Sequence, residues 1–354
     1  MESNIHWMEL PRHVVIGKGT LVQVGDVCLK LGFSKKVFVV TGTRTMRLAG
    51  QKVIGILEDE GIEVNHYIVS ANPPTLLDVR LVEEKIGETK PQAVLGIGGG
   101  AKIDVAKLSA ANLGIPFISI PTTASHDGMA SPFASVKGLD RPYSMTARSP
   151  IAVIVDTDVI ISVPYRLIAS GCGDVLAKFT STRDWKLAHE RKGEYYAEYA
   201  ASLALLSAQH VVRHAGSIKP GSESGLRVLL EALVSCGVAM CIGGTSKPCS
   251  GSEHLFSHAL DLITPKPALH GEQCGLGAIL MARLHGLDWE SIRDTLREVG
   301  APINAREIGI DPSYIVEALV LARNIRPERY TILNEKPLTR ETAYNLARET
   351  GVID

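Results

Sequence analysis

Aromatic residues are scarce in this 354-residue chain, at 5% of positions, and neither sign of charge dominates, with 37 Lys and Arg against 38 Asp and Glu. The formal net charge of −1 and the lack of any basic tract leave nothing to recommend nucleic acid or an anionic membrane surface as a partner. The cysteines, Cys28, Cys172, Cys236, Cys241, Cys249 and Cys274, are scattered and form no CxxC. A zinc ribbon and a disulfide frame are thereby excluded, and buried thiols in a reducing compartment are expected. The segment Met1–Leu10 has no apolar core, which argues against a signal peptide. Apolar runs elsewhere read as broken by Gly, Pro or charge short of a membrane span. A cytoplasmic protein without stable membrane insertion is expected. No repeat or low-complexity tract stands out.

What is present is aliphatic: the hydrophobic share is 45%, as suits helices packed on a parallel sheet. Short runs rich in Val and Ile predict strands at Val37–Thr41, Val64–Val69, Ala93–Ile97, Pro116–Ile120 and Ile151–Val155. Amphipathic stretches at Met46–Glu60 and Leu77–Thr89 alternate with them, and Ala71-Asn72-Pro73-Pro74 reads as a loop. After Val163-Pro164 the character changes, with Ala- and Leu-rich stretches such as Tyr195–Arg213 and Glu223–Met240 predicting helices. The fold class is therefore α/β: a Rossmann-like parallel-sheet domain over residues 1–163, then an all-α-helical domain over 164–354.

The strand at Ala93–Ile97 runs into Gly98-Gly99-Gly100-Ala101-Lys102 and then a helical pattern containing Asp104. Adjacent glycines let backbone N–H groups approach a pyrophosphate without Cβ interference, and the helix start adds partial positive charge there. A tight turn with no ligand has the same glycines, and this is not a GxGxxG fingerprint. A second loop, Pro121-Thr122-Thr123-Ala124-Ser125-His126-Asp127-Gly128-Met129-Ala130-Ser131, follows the next strand. It fits either a ligand loop at the carboxyl end of a sheet or a connector that makes its own turns.

Three segments of the helical half offer metal ligands. Ser170-Gly171-Cys172-Gly173-Asp174 puts a carboxylate after two glycines, where a helix start is expected. Gly251-Ser252-Glu253-His254-Leu255-Phe256-Ser257-His258 sets two histidines on one helix face, and Ala268-Leu269-His270-Gly271-Glu272 offers a third. Two imidazoles and a carboxylate would hold a divalent zinc with a position open for substrate oxygen. The same set suits iron or nickel. Spacing alone is a weak guide, since His210 and His214 share it.

Together these segments resemble the iron-containing alcohol dehydrogenase and dehydroquinate synthase superfamily, and within it the sn-glycerol-1-phosphate dehydrogenase family. The likeness runs from Leu10-Pro11-Arg12 to the Arg326–Leu333 segment, and GGGxxxDxAK at Gly98–Lys107 is shared across the superfamily. The Pro121–Ser131, Gly251–Asp261 and Ala268–Gln273 segments are more specific to the branch. The resemblance implies catalysis in a cleft between the two domains. It implies one zinc per subunit on Asp174, His254 and His270, with Fe or Ni also suited. It places the substrate against Asp127, Asp174 and His258, which are also the implied catalytic residues. It places the dinucleotide on Gly98, Gly99, Gly100, Ala101, Lys102 and Asp104, and on Thr122, Thr123, Ala124, Ser125 and Ser131.

The implied reaction is NAD(P)H-dependent reduction of dihydroxyacetone phosphate to sn-glycerol 1-phosphate, the backbone of archaeal ether lipids, by a homo-oligomer. His258, one turn from His254, is the group placed to protonate the product oxygen. Asp127, an anion, is expected to bind hydroxyl groups and not phosphate. After Val37–Val40 the chain reads Thr41-Gly42-Thr43-Arg44-Thr45, with no acidic residue to repel a 2′-phosphate, so both NADH and NADPH are expected as cofactors. Glycerol dehydrogenase, a dehydroquinate synthase-like lyase and a non-catalytic nucleotide-binding module are the alternatives.

Overall fold

The computed structural model describes residues 6–71, 73–137 and 142–354. Met1–Ile5 of the N-terminal segment and Asn72 of the expected loop lie outside the described residues. Six strands form one parallel sheet: β1 His13–Gly17, β2 Lys36–Thr41, β3 Glu63–Ile68, β4 Ala93–Gly98, β5 Phe117–Pro121 and, after a two-stranded hairpin (β6 Phe133–Lys137, β7 Pro142–Thr146), β8 Ala152–Asp156. Their order is β1-β8-β5-β4-β2-β3.

Each central strand reads as a near-continuous apolar run because both faces are covered. Val37 and Val39 of β2 point into a cluster with Val53, Leu57, Leu95 and Ile154. Phe38 and Val40 point to the other face, among Val82, Ile103 and Phe117. That alternation is the period of two that a pleated strand imposes. The five predicted strands match β2, β3, β4, β5 and β8 to within a residue. Edge strand β1, which pairs only with β8, and the β6–β7 hairpin were not predicted; both are five-residue pieces.

The sheet order reverses between β2 and β4. The chain goes outward from β2 to β3, then returns to place β4 on β2's other side. The register sets Thr41 opposite Ile97 and Gly98 opposite Pro121, so the carboxyl ends of β2, β4 and β5 open on one crevice. Open α/β sheets bind ligands at such a switch point.

Beyond Asp156 the described residues form only helices and connections. The expected Tyr195–Arg213 and Glu223–Met240 helices are observed as Glu198–His214 and Glu223–Gly243. The second corrects the reading that no apolar run reaches membrane-span length: it is 21 residues long, and its most apolar 18-residue window has a mean hydropathy of 1.8. About two thirds of its apolar window is buried within the protein (67%), as in a core helix. Leu233, Phe256 and Ile279 join Val153 and Val155 of β8 in one cluster, so the helical half packs on the sheet's β8 side.

Candidate active site

Asp174 corrects a local expectation. It lies in the last turn of helix Tyr165–Leu176, not at a helix start. The glycines before it serve close packing. A Cβ on Gly171 would lie 1.9 Å from the Ala124 carbonyl oxygen, and one on Gly173 would lie 2.1 Å from that of Gly271. A Cβ on Gly271 would in turn meet the Ser170 carbonyl oxygen at 1.8 Å. Helix Tyr165–Leu176 thus touches the Thr122–Ser131 loop on one side and the start of helix His270–His285 on the other, backbone to backbone. That crossing brings Asp174 to His270.

His254, on helix Ser252–Ile263, completes the set. Donor atoms of Asp174, His254, His270 and Cys274 all lie within 4.8 Å of one another. His254 Nε2 is 3.5 Å from Asp174 Oδ1. Behind it, His254 Nδ1 meets Glu253 Oε1 at 2.7 Å. Glu253 has no exposed surface, and it also accepts from Gly251 N and Thr180 Oγ1. Burial works against its charge, but His254, Thr180 and Gly251 hold the carboxyl below its usual range. It therefore accepts the Nδ1 proton and turns Nε2 toward Asp174, an outer carboxylate–histidine pair of the kind that orients metal ligands. The second helix is clamped to the first by Gln273, whose Nε2 donates to Ser257 and Asp261. A carboxylate and two imidazoles, convergent, with Asp174 and His254 buried and His270 half-buried, fit a divalent cation.

Lys178, one turn after Asp174 and fully buried, lies 2.9 Å from Asp174 Oδ1 and 2.8 Å from Asp127 Oδ2. Asp127 Oδ2 has no hydrogen bond beyond this ion contact. The Asp127 N–H donates to Asp174 Oδ2 at 2.8 Å. Burial alone would raise Asp174, but Lys178 and the two histidines hold it well below the usual carboxylate range. Asp127 is raised by burial and by Asp174 beside it. His258 Nδ1 is buried without a partner, and burial with the neighbouring His270 and His254 holds its ring well below the ordinary histidine range. His270 is pushed to about 3 by burial and His254.

The glycine turn stands at the switch-point crevice. Gly98 ends β4, Gly99 is the N-cap and Gly100 opens the helix Gly100–Asn112, with no side chain capping its first N–H groups. Ala101 follows in the first turn. A Cβ on Gly98 would meet Lys102 Cβ at 2.7 Å, and the Lys102 ammonium donates to Ala71 O. Asp104 is turned away: it accepts from Ser135 N at 2.9 Å and faces Lys107, which itself donates to Gly128 O and Phe133 O. Thr122 N donates to Gly98 O, and Thr122 Oγ1 is buried without a partner. Thr123 and Ser125 hydroxyls lie 3.3 Å apart. Ala124 is the backbone contact of Gly171, and Ser131 turns inward to Phe133. Arg44 is exposed beside Gly42 at the end of β2.

The structure thus gathers Asp127, Asp174, His254, His258 and His270 in one place. Sequence reasoning passed over Glu253, Lys178, Cys274 and His126. Only weak signals marked the first three: an acid directly before a candidate ligand histidine, and i, i+4 spacing from Asp174 and His270.

The class this fold resembles is that of the iron-containing alcohol dehydrogenases, whose family model matches residues 15–164. More specifically, the chain belongs to the glycerol-1-phosphate dehydrogenase family. Glycerol-1-phosphate dehydrogenase [NAD(P)+] of Pyrococcus furiosus is 51% identical over 99% of this chain and 100% of its own. That of Methanothermobacter thermautotrophicus is 50% identical over 98% and 99%. Among solved structures, glycerol dehydrogenase from Schizosaccharomyces pombe superposes with a TM-score of 0.80 at 20% identity, over 98% of this chain and 91% of that one. At that identity the likeness establishes the fold.

Proposed function

We propose that this chain is an NAD(P)-dependent dehydrogenase that reduces dihydroxyacetone phosphate to sn-glycerol 1-phosphate. The observation that carries the reading is the meeting of Asp174, His254 and His270 within reach of the loop that borders the glycine turn. Asp174, His254 and His270 would hold one zinc per subunit, iron or nickel suiting the same donors. The metal would supply Lewis-acid polarisation of the C2 carbonyl, and the nicotinamide the hydride. Asp127 positions substrate hydroxyls, its carboxylate steadied by Lys178. His258, with its unpartnered Nδ1, passes a proton to the product oxygen. Gly98 to Lys102, Thr122 to Ser125 and Ser131 cradle the dinucleotide, and Asp104 supports that cradle through Ser135 and Lys107. Exposed Arg44 leaves room for a 2′-phosphate, so both cofactors are used.

The boundary between the domains is placed at 163/164, between the short helix Thr157–Ile161 and helix Tyr165–Leu176. The product would enter archaeal ether lipids in the cytoplasm. Assembly as a homo-oligomer would cover apolar surface such as Trp7, Met8 and Leu10. Relatives named for glycerol 1-phosphate do not favour an unphosphorylated polyol or a lyase reaction.

Zinc-loaded protein should consume NADPH stoichiometrically with dihydroxyacetone phosphate, and the product should be inert to an enzyme specific for sn-glycerol 3-phosphate. Two charge-assisted phosphate hydrogen bonds, at about 1.5–3 kcal/mol each, would favour the phosphorylated ketone by at least roughly a hundredfold in kcat/KM. Equal kcat/KM for dihydroxyacetone, or a product of the opposite hand, would refute the assignment.

A further inference from the structure

His126 stands between the glycine turn and the metal ligands, and none of the roles above uses it. Its Nε2 occupies the space that a side chain on Gly100 would need, since a Cβ there would lie 1.5 Å away. Its ring is edge-on to that of His270, with centroids 6.4 Å apart. On its other side the Gly128 N–H donates to Nδ1 at 2.9 Å. A nitrogen that accepts a hydrogen bond carries no proton, so this tautomer bears its proton on Nε2. Among the described residues nothing accepts that proton. The imidazole is thus locked by one backbone N–H and presents the other nitrogen as a donor. It does so over the first residue of helix Gly100–Asn112, whose own N–H groups have no side-chain cap.

Donors converging from a helix start and a fixed imidazole favour an anion. We propose that His126 is a phosphate-recognising residue, donating Nε2–H to a phosphate oxygen bound between the glycine turn and His270. The oxygen belongs either to the substrate's phosphate or to the dinucleotide's pyrophosphate. The first case rests on the function proposed above; the second does not. The location also explains Gly100, where glycine leaves room for the ring and no positive φ is required.

The test uses zinc-loaded His126→Ala and His126→Phe, the latter keeping a ring to hold the loop open, with His126→Gln to restore a donor. Zinc content is measured first, then kcat/KM for dihydroxyacetone phosphate and for dihydroxyacetone, and Kd for NADH. Loss of one charge-assisted hydrogen bond corresponds to about a 10- to 100-fold effect. A loss of that size on dihydroxyacetone phosphate alone, partly recovered by Gln, assigns the donor to the substrate phosphate. A rise of that size in the NADH Kd assigns it to the pyrophosphate. Parameters within twofold of the parent, or equal losses on both ketones with NADH binding unchanged, would overturn the proposal. If the parent enzyme shows no preference for the phosphorylated ketone, the proposed function fails, and the NADH arm still decides the role of His126.

Discussion

Lys178 carries a charge with no exposed surface, which is tolerable only because Asp127 and Asp174 flank it. Burial opposes that charge, but the two carboxylates raise its pKa well above the ordinary value. Lys178→Met would keep the volume and leave the two carboxylates facing each other. Removing one partner of a buried ionic group costs about 3–5 kcal/mol. A cation on Asp174 would offset part of that loss, so the variant should gain more thermal stability from added zinc than the parent does. Calorimetric melting with chelator and with zinc checks this, and an equal zinc-induced shift in both proteins would count against it. Neither Lys178 nor Glu253 could be assigned a role from sequence, because each acts through a residue whose own position depends on the fold.

At the scale of elements, the site rests on crossings that only glycine permits. Helix Tyr165–Leu176 presents Gly171 to the Ala124 carbonyl and Gly173 to that of Gly271. In sequence these glycines suggested the edge of a helix, since glycine weakens helix interiors by roughly 0.5–1 kcal/mol relative to alanine. Close approach of the backbones outweighs that cost. Gly171→Ala should therefore destabilise, against helix propensity, by about 1–3 kcal/mol from overpacking. It should also displace Asp174 and lower bound zinc. Urea unfolding and metal analysis test both effects, and a variant as stable as the parent would show that the loop yields without strain.

For the molecule as a whole, the scattered cysteines are free and buried. Burial pushes the Cys28 and Cys172 thiols from an ordinary value of 9.0 up to about 12. A pKa raised by folding gives stability that is present below the unfolded value and lost as pH rises through the folded one. The protein should thus melt at falling temperatures between about pH 9 and pH 12, and its thiols should resist a disulfide reagent at pH 8 until it unfolds. A Cys172→Ala variant with the same slope would remove that thiol from the account.

The sequence by itself determined the strand-and-helix alternation, the change to helices after Pro164, the glycine turn and the types of the candidate donors. Those features are local: alternating burial along a strand, the absence of a Cβ, the donor chemistry of Asp and His. Residues 80 positions apart, such as Asp174 and His254, become neighbours only when the helices pack, so the convergence of the donors was a tertiary matter. So was the direction of Asp104, which accepts from Ser135 N on a hairpin that the apolar pattern did not reveal. Packing also decided that the apolar Glu223–Gly243 helix is a core element, because it is buried against neighbouring helices that no window on its own residues contains.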